Sequence, residues 1–159
     1  MTKEVKQQFT LRITQANSTE LVVILYEMAL TFLQEAKEAG EKQELAEYKE
    51  AIRKTRNCIN ELIQSLHMEY ELAGNLYKLY MFCIRRLAYA QVRNQVKVLD
   101  EIESVLSKLK DAYAQIAPNN SSAPVMSNAQ TVYSGLTYGK GASLAEDVTC
   151  QSSNRGMLI

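Results

Sequence analysis

The chain has 159 residues, enough for one domain with a real core. Eighteen basic and eighteen acidic side chains cancel to zero formal charge, which argues against a nucleic-acid binder and makes exposed apolar surface a liability. The opening residues, MTKEVKQQFT, lack the apolar core of a signal peptide, and the longest unbroken apolar run, Leu21 to Tyr26, is far below the roughly 18 residues of a membrane span, so a cytoplasmic protein without membrane insertion is expected.

Seventeen residues precede the first clear helix, which runs from about Ser18 to Ala39. Asn17 is a good N-cap, Glu20 stands three residues on as in a capping box, and Gly40 follows the expected end. A second helix, about Gln43 to His67, carries Leu45, Tyr48, Ile52, Thr55, Ile59, Leu62 and Leu66 in 3-4 alternation. A third, about Glu69 to Arg93, has Leu76, Tyr80, Cys83, Leu87 and Ala90 on one stripe. Asn94 is placed to cap a fourth, where Leu99, Ile102, Leu106, Leu109, Tyr113 and Ile116 repeat the spacing. Such spacing with short connections predicts an all-α, antiparallel up-down four-helix bundle over residues 18–117. Beyond Ala117 come both prolines, four of the six glycines and seven serines. Residues 118–159 therefore read as a tail, flexible or docked on the bundle.

Wound at about 100° per residue, the helices differ in apolar width. The stripes of the second and fourth span about 100° and about 120°, which suits a bundle core, but those of the first and third reach about 200° and about 220°. Either these two helices are simply central, or their excess is an interface. The second reading makes a docking patch of the shoulder formed by Val22, Val23, Tyr26, Leu30 and Leu33 with Tyr77, Met81 and Ile84, and a groove there suits an amphipathic partner helix.

Catalytic chemistry finds little support. His67, the only histidine, falls at a predicted turn, and no paired Glu-x-x-His motif offers a metal site. Cys58, Cys83 and Cys150 form no CxxC pattern, and the first two read as small buried hydrophobes. The segment GLTYGKG at Gly135 to Gly141 has three residues between glycines where a phosphate loop needs four, and no Ser or Thr after its lysine. No enzyme activity, cofactor, metal or small-molecule substrate is expected.

Three stretches, ITQANSTELVVILYEMALTFLQEA, ELIQSLHMEYELAGNLYKLYMFCIRRLAYAQ and VLDEIESVLSKLKDAYAQI, resemble in order and spacing the flagellin-specific export chaperones, the FliS family. The telling pieces are Leu25-Tyr26, LHMEYE at the second turn, and LYKLY with Arg86-Leu87 after it. The resemblance implies a cytoplasmic bundle that binds the C-terminal segment of newly made flagellin, prevents premature polymerisation and presents the subunit to the membrane export-gate protein. It also implies that the arm, residues 1–17 with Phe9 and Ile13, is a mobile apolar segment lying over the client groove, which adds Ile13 to the expected partner contacts. The alternative is a helical adaptor using the same groove for another flagellar protein or regulator. Against the family pattern, NST opens the first helix where Ser-Pro is common, Tyr113 replaces a frequent tryptophan, and the tail is additional. The tail's apolar islands begin with Val125 and Met126 and continue through Val132, Tyr133, Leu136 and Tyr138. Besides a solvated tail, they suggest a placeholder on the groove that flagellin displaces.

Overall fold

The computed structural model describes residues 2–119 and 121–125. Five helices follow in order: α1 Lys3–Gln15, α2 Ser18–Glu41, α3 Leu45–Gln64, α4 Glu71–Arg93 and α5 Val98–Ile116, with a 3-10 turn at Ala117–Asn119. Helices α2 to α5 form a closed ring in which α2 packs on α3 and α5, and α4 on the same two from the opposite corner. The 3-4 spacing explains why: Ile52, Ile59, Leu62, Leu76, Leu87, Leu99, Ile102 and Leu106 all turn inward and are buried. On α2 the inward face is mostly small, with Ala29, Ala36 and Ala39, so α3 makes its most extensive contact there.

Polar contacts fix the directions. Lys37, late in α2, pairs with Asp100 and Glu103, early in α5, both at 2.5 Å. At the other end Tyr26 of α2 stacks at 5.7 Å on Tyr113 of α5, so these helices are antiparallel. The Tyr48 hydroxyl at the start of α3 donates to the Ala90 carbonyl near the end of α4 at 3.0 Å, and Arg86 of α4 grips Glu101 of α5 through two nitrogens. Thr55, the buried polar residue of α3, returns its hydroxyl proton to the Ala51 carbonyl.

The capping box forms as the sequence predicts: the Asn17 side chain accepts from the Glu20 N–H, and the Glu20 carboxylate accepts from the Asn17 N–H. Two other boundary expectations are corrected. Gly40 does not follow α2 but lies inside its last turn; a Cβ there would collide with Val96 Cγ2 and stand 3.2 Å from the Tyr48 ring, so close approach explains the glycine. The left-handed residue after the helix is instead Gln43, at φ 59. Asn94 does not cap α5; it ends α4 in the left-handed region at φ 52, its N–H bonded to the Ala90 carbonyl, and α5 starts after Lys97 without a side-chain cap.

The arm is a helix. Helix α1 lies on α2, where Phe9, with Val5 and Ile13 beside it, packs against Leu21, Ile24 and Met28. Arg12 reinforces the contact through Glu27 at 2.5 Å. Ala16 and Asn17, both extended and buried, are all that separates the two helices.

Candidate protein-docking site

The first turns of α2, the α3–α4 turn and the start of α4 meet at one end of the ring, and their side chains do not close it. A cleft of about 570 Å³ remains. Leu21, Val22 and Leu25 form one wall, and Leu66, Leu72, Ala73 and Leu76 the other. Tyr80 and Tyr113 make its floor. Beneath them Tyr26 is fully buried, its hydroxyl hydrogen-bonded to that of Tyr80. Burial pushes the Tyr80 hydroxyl up to about 12 and raises those of Tyr26 and Tyr113 as well, so all three stay neutral at ordinary pH. Tyr26 and Tyr80 act as apolar bodies whose polar tips satisfy each other.

The rim is notably apolar for a chain of zero net charge. Leu72 is 66 % exposed, Tyr70 64 % and Met68 62 %, all within five residues. A contiguous apolar patch beside a preformed cleft marks an interaction surface. Among the described residues, no group of three or more His, Cys, Asp or Glu could hold a metal ion, and no helix is long and apolar enough to cross a membrane. Burial also raises the thiols of Cys58 and Cys83 to about 11, the opposite of what a nucleophile needs.

The expected shoulder residues are not brought to one surface. Tyr26 and Leu33 are wholly buried in the core, which corrects their placement on an exposed patch. Leu30 is half-buried and packs against the same core, and Val23 is half-buried beyond it. Val22 does line the cleft. Ile13 sits in the α1–α2 contact. On α4, Tyr77 is 40 % exposed, while Met81 and Ile84 are half-buried beside it. The excess width of α2 is absorbed by α1, which covers Ile24 and Leu21 on the side that the ring leaves free. Sequence reasoning missed Leu66, Met68, Tyr70 and Leu72 as a site. Leu66 also packs on the ring core, as its place in the α3 stripe predicts; the signal of a site was Met68, Tyr70 and Leu72, apolar residues alternating beyond that stripe.

The sequence pattern of the family described as "Flagellar protein FliS" matches residues 1–120, which takes in every helix above. The chain belongs to the FliS family. It is 34 % identical over 112 residues to the flagellar secretion chaperone FliS of Salmonella typhimurium, covering 69 % of this chain and 83 % of that one. To FliSB of Pseudomonas aeruginosa, also a flagellar secretion chaperone, it is 32 % identical over 108 residues, covering 67 % and 86 %. To FliS of Bacillus subtilis it is 30 % identical over 103 residues, covering 65 % and 77 %. The FliS pattern stops at residue 120, so Ser121 to Val125 and everything after them lie outside it.

Proposed function

We propose that this FliS protein is a cytoplasmic, non-enzymatic export chaperone that binds the C-terminal segment of flagellin, keeps it from polymerising early and hands it to the membrane export-gate protein. The observation that carries this reading is the apolar cleft with exposed Tyr70 and Leu72 on its lining and exposed Met68 next to them in the chain. A flagellin helix destined for the filament core carries an apolar face that must be masked beforehand, and an apolar trough masks it without covalent chemistry. Exposed Tyr77 on α4, with half-buried Met81 and Ile84 following it, offers further surface for a segment that wraps rather than inserts. Affinity then accumulates over area, as expected when a disordered segment folds on binding.

Calorimetric titration of a flagellin C-terminal peptide into the full-length chain tests this. Saturable binding with a clearly negative heat-capacity change is expected, because apolar area leaves water. Leu72→Glu, at an exposed rim position, is expected to weaken binding by about tenfold or more with the helical circular dichroism unchanged. Leu30→Glu is not a comparable test, since Leu30 packs on the core. Absence of binding by the unsubstituted chain would overturn the flagellin reading and leave the cleft to another helical partner.

A further inference from the structure

After α5 the chain does not leave the bundle directly. The 3-10 turn Ala117–Asn119 packs on both α5 and α2. A few residues later the Val125 N–H donates to the Ala16 carbonyl at 3.0 Å, and the Val125 side chain lines the cleft with Leu21, Tyr80 and Tyr113. Two anchors thus hold the segment: a packed turn at one end, and at the other a backbone hydrogen bond beside a residue that lines the cleft. The residues between are small or polar, Ser121, Ser122 and Ala123, and Pro124 then stiffens the approach. Because Pro124 has no N–H, Val125 is the first residue beyond it able to donate.

We infer that the described residues after α5, 117–119 and 121–125, act as an intramolecular strap whose Val125 occupies the cleft mouth, and that an incoming apolar helix displaces it. The competition half of this inference rests on reading the cleft as the flagellin site; the strap itself does not. The acceptor matters as much as the donor. Ala16 is the extended joint between α1 and α2, so the same bond that holds Val125 over the cleft also ties down the hinge of the arm. Displacing the strap frees both at once. Val125 remains 56 % exposed, so the latch is weak and sets affinity rather than blocking entry. A strap closed about four-fifths of the time lowers apparent affinity about fivefold.

Two full-length variants test it. Val125→Pro keeps an apolar side chain but removes the donor, and Val125→Asp sets a carboxylate against the tyrosine floor. Ring-labelled tyrosine resonances are read in the free proteins, and the affinity for a synthetic flagellin C-terminal peptide is measured by calorimetry. Both variants are expected to shift the Tyr80 and Tyr113 rings and to bind the peptide about fivefold more tightly. Unmoved rings with unchanged affinity would overturn the strap. Moved rings with unchanged affinity would overturn the competition, since the strap would then lie off the client's path. Moved rings with no peptide binding by any of the three proteins would uphold the strap and sink the flagellin reading instead.

Discussion

Gly40 and Gln43 stand three residues apart and carry opposite penalties. Gly40 is helical, a conformation in which alanine outdoes glycine by about 1 kcal/mol, yet its missing Cβ is the space that Val96 and Tyr48 occupy. Gln43 is left-handed at φ 59, where a side chain costs about 1 kcal/mol that glycine avoids. Exchanging the usual preferences is therefore expected to reverse the usual outcomes. Gly40→Ala is expected to lose about 1 kcal/mol net, because the new methyl would collide with Cγ2 of Val96, which must shift to admit it. Gln43→Gly is expected to gain about 0.5–1 kcal/mol. Urea unfolding of both variants checks the pair, and an equal sign for the two would refute the argument. The glycine itself was visible in the sequence, but its reason was not. A helix end and a close contact both call for glycine, and only the position of Val96, more than fifty residues away, decides between them.

At the scale of elements, α1 and the ring helices are held by different means. The inward stripes of α3 and α5 are long enough to be read from spacing alone, and the capping box of α2 from the Asn17–Glu20 pair. Helix α1 has a Thr2 cap, whose hydroxyl accepts from the Val5 N–H, but no long inward stripe. Val5, Thr10, Ile13 and Thr14 are β-branched, and both threonines turn their hydroxyls back onto the carbonyls of Lys6 and Leu11. What makes it a helix is one side of α2, met through Phe9. Phe9→Ala is accordingly expected to strip α1 of its hydrogen-exchange protection while leaving that of α2 to α5 nearly intact. The loss in global stability is bounded by the docking energy of α1, so it falls below the roughly 3–5 kcal/mol of a Phe→Ala change in a central core. Loss of protection throughout the ring would show α1 to be part of the core instead. The docking rim was half legible for the same reason: LHMEYE stood out as a motif, but periodicity counts only helical faces and gives no weight to apolar residues in a turn.

For the whole molecule, the buried tyrosines and thiols make the fold a sensor of alkalinity. Burial first of all raises Cys58 and Cys83 from 9.0 to about 11 and Tyr80 from 10.0 to about 12. Groups raised on folding contribute stability that is complete below their unfolded values and is lost as pH climbs towards the folded ones. The urea midpoint is thus expected to be flat between about pH 7 and 8.5, and to fall from about pH 9 to 11. A midpoint that held through that upper range would mean the thiols and hydroxyls ionise as freely in the fold as outside it. The arm carries a different consequence. With 13 residues, α1 is near the length at which an isolated helix is only marginal in water. Lifted from α2 about its Ala16–Asn17 joint, it melts. Any helix that takes its place on Leu21, Ile24 and Met28 therefore becomes ordered while the arm becomes disordered, and the conformational entropy lost by the newcomer is partly returned by the chaperone's own first turns.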